Sequence, residues 1–281
     1  VYVGKLPPPK SRKGQPAQPQ ADEEGLGAAE DLTLFRSSRF GDEVDRPVKR
    51  ADGTPTYFCA DIAYHWDKRQ RAEVLVDVLG ADHGGYVPRL KASLQAVGAS
   101  GDDLHVVLIQ MVNLTRGGEA VKMSKRAGTV VSLREVVEEV GRDAARFIFL
   151  TRRSDAQLDF DLELAKKESA DNPVYYVQYA HARIASIMRL AQEKNIDYSR
   201  GNVGLLTHEA ELDLIRKMIL LPEIIELAAQ KLEPHHLPYF AQDLATSFHT
   251  FYKQCRVVSE DSDLTCARLK LVKAAQTVLA R

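Results

Sequence analysis

Val74–Leu75–Val76–Asp77–Val78–Leu79–Gly80–Ala81–Asp82–His83–Gly84–Gly85 is the stretch on which the fold turns. A nearly all-apolar run ending at a glycine reads as a strand buried on both faces of a sheet. Upstream, Thr56–Tyr57–Phe58–Cys59 is β-prone, and Asp61 stands where an N-cap would for a helix from Ile62 to Arg71, with Trp66 in its core face. Downstream, Val87 to Val97 has the spacing of an amphipathic helix stopped by Gly98, and Val106–Val107–Leu108–Ile109 is a second buried strand within Leu104 to Leu114. Strand, helix and strand with such apolar strands imply a parallel sheet with crossover helices. Two or three strands are legible, so this is part of an α/β domain.

The flanks differ in kind. Residues 1–30 hold Pro7, Pro8, Pro9, Pro16 and Pro19 together with Gly14, Gly25 and Gly27. After the short apolar start Val1–Tyr2–Val3, that segment is too poor in bulky apolar residues to bury a core, and it reads as a surface excursion. Beyond Ser132 the pattern is helical. Ser132 caps a helix to Val140, Asp143 one through Leu150, and Asp161 a third; Asn172–Pro173 starts a helix reaching about Gln192. Thr207 caps the next, Pro222 opens or kinks another, and Leu237–Pro238 leads one through Cys255. Ser262 caps the last, in which Leu264, Ala267, Leu271, Ala274, Ala275 and Val278 recur at helical spacing.

Composition narrows the function classes. Of 281 residues, 44% are hydrophobic and 27% charged, and the net charge is −1, which excludes a globally basic nucleic-acid binder and leaves room for a local patch. No apolar run is long enough to span a membrane, and the amino terminus lacks the basic-then-apolar pattern of a secretory signal. Cys59, Cys255 and Cys266 are odd in number with no C-x-x-C spacing, which fits a reducing cytosol better than a disulfide framework or a zinc cluster. The first residue is Val1 rather than methionine, and the chain is read as a piece of something longer. His235–His236, beside Pro234 and Pro238, reads as an interhelix loop, and no metal site is expected.

Three elements carry chemistry. Lys122–Met123–Ser124–Lys125, between Gly117–Gly118 and Gly128, places two ammonium groups three residues apart in a glycine-hinged loop. Such a loop can close on the charge that develops as pyrophosphate leaves, although a lone K-x-S-K is more often a solvated basic loop. Gly80–Ala81–Asp82–His83–Gly84–Gly85 stands where a strand of an open α/β sheet ends, the place where such sheets bind ligands; alternatively Asp82 merely caps the next helix. Tyr57 and Asp61, four apart, offer a carboxylate for a cationic substrate, a guanidinium above all, or a half-buried aromatic followed by an N-cap.

Taken in order and followed by a helix bundle, these elements resemble a bacterial-type arginyl-tRNA synthetase, a class I aminoacyl-tRNA synthetase. The carriers are Phe35–Arg36–Ser37–Ser38–Arg39–Phe40–Gly41–Asp42, Thr56–Tyr57–Phe58 with Asp61–Ile62–Ala63–Tyr64–His65, Gly80 to Tyr86, and the Lys122 to Lys125 loop. Asp143–Ala144–Ala145–Arg146–Phe147 and Leu158–Asp159–Phe160–Asp161–Leu162 extend them. The most distinctive string is Asn172–Pro173–Val174–Tyr175–Tyr176–Val177–Gln178–Tyr179–Ala180–His181–Ala182–Arg183–Ile184. The resemblance covers residue 31 to the end. The class's His-x-Gly-His-like signature is absent, so the chain is similar to roughly the C-terminal half of such an enzyme.

The resemblance implies an α/β plus all-α chain: the C-terminal part of a class I Rossmann-like catalytic domain followed by an anticodon-binding helix bundle. It divides the chain into a Pro/Gly-rich excursion (1–30), the Rossmann-like part with the K-M-S-K loop (31–131), a helical connecting segment (132–171) and the bundle (172–281). The implied activity is ATP-dependent activation of L-arginine to arginyl-adenylate and transfer to the terminal adenosine of arginine tRNA, with Mg2+ bound through the ATP phosphates. Lys122 and Lys125 are the implied catalytic residues. Gly80, Asp82, His83, Lys122, Ser124 and Lys125 would bind ATP, and Tyr57 and Asp61 arginine. Tyr175, Tyr179 and Arg183 would contact tRNA, although a helical aromatic stripe more commonly packs. A cytoplasmic monomer, without membrane contact, is expected. The alternative is a fragment that binds tRNA and does no chemistry. Residues 172–281 hold 13 basic and 12 acidic side chains, a net of +1, so RNA would be bound by a patch and by shape rather than bulk charge.

Overall fold

The structure, a computed structural model, describes residues 1–6, 31–121 and 131–280. It separates into two compact units, Val1–Ile109 and Gln110–Arg281.

The first unit opens with an antiparallel sheet that local pattern does not announce. β1 (Tyr2–Gly4) pairs with β2 (Leu32–Phe35), which pairs with β3 (Arg46–Lys49). Tyr2 and Leu6 pack on the fully buried Leu32 and Leu34. The Phe35 to Asp42 string is explained by packing. The Phe35 ring stacks on Phe40 at 5.8 Å, Gly41 adopts φ +94°, and the buried Asp42 accepts two hydrogen bonds from Arg46 at 2.7 and 2.8 Å.

α1 (Tyr57–Arg71) begins five residues earlier than the sequence pattern suggests. Thr56, not Asp61, is its N-cap. The Thr56 hydroxyl donates to the Pro47 carbonyl at 2.9 Å and accepts from the Cys59 N–H at 3.2 Å. A β-prone tetrapeptide is thereby overridden by a cap anchored on a neighbouring strand. β4 (Leu75–Gly80) runs parallel to β5 (Leu104–Ile109) in unbroken register, with α2 (Val87–Ala96) as the crossover. Leu90 and Leu94 of α2 pack on Leu75 and Leu104. Burial corrects the two-faced reading of β4. Leu75 is buried, whereas Val74, Val76 and Val78 are 60%, 44% and 64% exposed. Trp66, expected in the core, is 46% exposed.

The second unit joins a small mixed sheet to a helix bundle. β6 (Val112–Arg116) pairs antiparallel with β7 (Glu119–Ala120) and parallel with β8 (Leu158–Asp161). Around it lie α3 (Leu133–Val140), α4 (Arg142–Leu150) and α5 (Leu162–Lys166), closing over Phe160, Leu162 and Val136. The bundle comprises α6 (Pro173–Glu193), α7 (Glu209–Ile219), α8 (Leu221–Lys231), α9 (His236–Gln254) and α10 (Ser262–Leu279). Its core is continuous through Ile184, Leu214, Leu244, Phe248, Phe251 and Leu269.

Asn172 caps α6 as read, accepting from the Val174 N–H at 3.0 Å. Ser132 and Asp161 likewise cap α3 and α5 as read. At three other helix starts the cap shifts by a residue or two. His208 rather than Thr207 caps α7, Asp261 rather than Ser262 caps α10, and Gly141, at φ +84°, precedes α4 in place of an Asp143 cap. Among the described residues no helix is long and apolar enough to cross a membrane.

Candidate functional site

In the first unit the site is built where β4 ends. Gly80 closes the strand, a 3-10 turn carries Ala81–Tyr86, and α2 follows. A Cβ at residue 80 would meet only the Asp82 carboxylate oxygen, at 2.5 Å, a contact that this exposed side chain can relieve by rotating. Neither the turn nor α2 receives a side-chain cap, so Asp82 is not a capping residue. Its carboxylate is 84% exposed, with the 57% exposed His83 imidazole 3.9 Å away. Both polar side chains stand in solvent at the carboxyl end of a parallel strand, the position at which such sheets receive ligands.

Asp61 lies one turn after Tyr57 on α1. The Tyr86 hydroxyl, from the end of the Gly80 turn, donates to Asp61 Oδ2 at 2.5 Å. The Phe58 ring meets Tyr86 edge-on at 6.1 Å, so the residue joining turn to helix is itself packed. Tyr57 is 74% exposed. Deeper in the unit, His65 and Lys68 of α1 both pair with Asp77 of β4, His65 Nε2 at 2.6 Å. Hydrogen bonds from Lys68 and His65 hold the Asp77 carboxyl below the usual carboxylate range, against the burial that would raise it. The helix carrying Tyr57 and Asp61 is thus bolted to the strand that ends at Gly80. Sequence reading found Asp61 and Asp82 but not Tyr86, which bonds Asp61, or Asp77, which bonds His65 and Lys68; these contacts form only in three dimensions.

In the second unit, one face of α6 meets α9 in an array of rings. Tyr175 stacks on Tyr179 at 5.9 Å with 11° between planes, and Tyr179 stacks on His249 at 5.8 Å. The Arg183 guanidinium lies over the Tyr179 ring at 4.5 Å and over Tyr252 at 4.4 Å, and it donates to the Tyr179 hydroxyl at 2.6 Å. Tyr179 and Tyr252 are 41% and 40% exposed, so the array is a surface rather than a core. Burial, helped by the Arg183 charge, pushes His249 below the ordinary imidazole range, leaving it a neutral ring near pH 7. The structure therefore brings Tyr175, Tyr179 and Arg183 together and adds His249 and Tyr252. Their spacing on α9 gave no hint of which helix they would face. Beside Tyr175 and Gln178 opens a groove of about 680 Å³, edged by Arg142, Lys166 and Lys167.

Lys122, Ser124 and Lys125 lie outside the described residues.

Comparison with known proteins finds one family match, within the second unit. Residues 177–281 match the DALR anticodon binding domain. An arginine–tRNA ligase of Anaeromyxobacter sp. (strain Fw109-5) is 64% identical over 100% of this chain and 49% of its own length, and that of Dehalococcoides mccartyi (strain ATCC BAA-2100) is 58% identical over 91% and 46%. The chain belongs to the arginine–tRNA ligase family. It spans about half the length of the curated relatives it matches. Among solved structures, a Campylobacter jejuni protein assigned as an arginyl-tRNA synthetase superposes with a TM-score of 0.80 at 36% identity, covering 88% of this chain and 55% of that one. The arginyl-tRNA synthetase of Thermus thermophilus, at 23% identity and a TM-score of 0.75, shares the fold over 92% of this chain and 53% of its own. Within this ligase-family chain, Tyr179, Arg183, His249 and Tyr252 fall inside the anticodon-binding match, and Tyr175 stands two residues before it.

Proposed function

We propose that the protein works as part of an arginine–tRNA ligase in the cytoplasm, with its second unit gripping arginine tRNA through the α6–α9 aromatic face. The observation that carries this reading is the half-exposed array of Tyr175, Tyr179, His249, Arg183 and Tyr252, lying almost entirely inside the anticodon-binding match. Unpaired bases splayed from an RNA loop bind by stacking on such rings, and a guanidinium plane held between two tyrosines adds charge without needing its own packing. The near-zero charge of the bundle is consistent with recognition by local contacts.

In the whole enzyme, an arginine carboxylate oxygen would attack the α-phosphorus of ATP, expelling pyrophosphate. A terminal ribose hydroxyl of the tRNA would then attack the carbonyl carbon, releasing AMP. Asp61, oriented by Tyr86, would face the substrate guanidinium, with Tyr57 alongside. Gly80, Asp82 and His83 would line the nucleotide, their glycine turn leaving the backbone open to close approach. Lys122 and Lys125, with Ser124, would hold the phosphates of ATP, which enters as its Mg2+ complex. No covalent enzyme intermediate is required, since positioning and electrostatic stabilisation suffice.

A second reading, binding of tRNA without chemistry, is supported by the share of its relatives' length that the chain spans; arginylation by the chain itself would remove it. The primary reading is tested with arginine tRNA transcripts carrying single abasic sites in the anticodon loop. At least one abasic transcript should bind the wild type as weakly as intact tRNA binds Tyr179→Ala, with no further loss when the two are combined. Fully additive losses at every loop position would sink the proposed contact.

A further inference from the structure

The junction between α8 and α9 carries a side-chain group that tRNA contact and adenylate chemistry leave unused. Leu232 ends α8 in a left-handed conformation, φ +55°, and Glu233 and Pro234 follow before the chain re-enters a helix at His236. This tight return brings a carboxylate oxygen of Glu233 and one ring nitrogen each of His235 and His236 within 4.8 Å of one another. His236 Nε2 lies 3.0 Å from Glu233 Oε2, and the two imidazoles face each other at 4.3 Å between centroids. His235 is only 6% exposed, and the Tyr239 ring meets it edge-on at 5.8 Å, which limits its rotation.

We propose that Glu233, His235 and His236 bind one divalent ion of the zinc class, clipping the end of α8 to the start of α9. Two imidazoles and one carboxylate suit borderline ions such as Zn2+ or Co2+ far better than Mg2+ or Ca2+, which prefer all-oxygen shells. Zinc bonds of roughly 2.0–2.2 Å in a tetrahedral shell put neighbouring donors about 3.4 Å apart. The His236–Glu233 edge, at 3.0 Å, lies within about half an ångström of that spacing, and the remaining donors, all within 4.8 Å of one another, must draw in by at most about 1.4 Å. Three protein donors leave one position for water.

Arg153 and Asp155 also face the group, but they pair with each other at 3.0 Å and largely cancel. Consecutive residues at a helix start ordinarily diverge, which is why the His235–His236 pair carries no metal signal in the sequence. The return at Leu232 supplies the third donor.

The test uses the full chain without a histidine tag, stripped by chelator and titrated with Zn2+ by calorimetry and with Co2+ by visible absorption. One equivalent should bind, with a cobalt spectrum free of thiolate charge transfer. Glu233→Gln and His236→Gln, both at partly exposed positions, should each weaken binding by more than the roughly 10–100-fold lost when an outer-shell partner is removed. Their unliganded melting curves should match the wild type, and added Zn2+ should raise the melting temperature of the wild type alone. Absence of saturable binding, binding that survives either substitution, or a thiolate band would each overturn the site.

Discussion

The two units bury their apolar residues in different ways. In the second, α6, α7, α9 and α10 share one continuous core from Ala180 to Ala275, in which Leu214, Phe248 and Phe251 are fully enclosed. In the first, apolar contacts split into separate small groups around Phe58, around Leu75 and around Leu32. There a large share of the binding between elements is polar, through Asp42–Arg46 and His65–Asp77–Lys68. The bundle has the constitution of a self-sufficient domain, whereas the strand–helix unit spends β-branched residues on an uncovered strand face. Apolar burial is therefore concentrated in the second unit, which also carries the α6–α9 aromatic surface proposed to meet tRNA.

The largest expected effect breaks the continuous core. Phe248→Ala should cost about 3–5 kcal/mol and unfold the second unit cooperatively, read as a shift in the denaturant midpoint. A smaller effect sharpens the contrast within β4. Leu75→Ala should cost about 2–3 kcal/mol, whereas Val78→Thr, on the exposed face, should stay within about 0.5 kcal/mol. Equal costs would mean that both faces are covered in solution. Hydrogen exchange should follow the same order, with amides of α9 and α10 more protected than those of β4 and β5.

Next in size is the RNA surface. Tyr179→Ala should lose roughly 1–3 kcal/mol of tRNA affinity, while Tyr57→Ala, in the first unit, should leave tRNA affinity unchanged.

Smallest is a pH effect confined to the second unit. Arg116 of β6 and Lys166 of α5 converge on Glu139 of α3 and Glu163 of α5, and the Arg116 hydrogen bonds, then those of Lys166, hold the Glu139 carboxyl at about 2. Because the folded value lies below the unfolded one, this contribution is complete above about pH 4.5 and is lost as pH falls toward 2. Acid titration of the melting temperature should show that loss in the wild type and less of it in Glu139→Gln. Since these groups are exposed, 0.5 M salt should shrink the difference.

What could be read from the chain follows from how local each signal is. Asn172–Pro173 needs only its own hydrogen bond and N-terminal proline to start α6, and the strand-end glycine of β4 announces its turn. Thr56 could not be picked over Asp61, because its hydroxyl is fixed by Pro47, nine residues away on another strand. The first antiparallel sheet was invisible because β1 and β2 pair across some thirty residues. The Val74, Val76 and Val78 pattern promised burial, but burial depends on what covers a strand, which its own residues do not specify. For the candidate site, the sequence alone names Asp61, Asp82, Tyr179 and Arg183 as single residues. Their partners Tyr86, His249 and Tyr252 belong to other elements and emerge only from packing.

The most direct test of the central claim is competition binding of this chain to arginine tRNA against bulk tRNA, at one near-physiological salt concentration, for wild type and for an Arg183→Ala, Tyr252→Ala double variant with an unchanged helical melt. A clear preference for arginine tRNA that the double variant loses is the predicted result. Equal binding of the wild type to both tRNA pools, or a preference untouched by the substitutions, would contradict it.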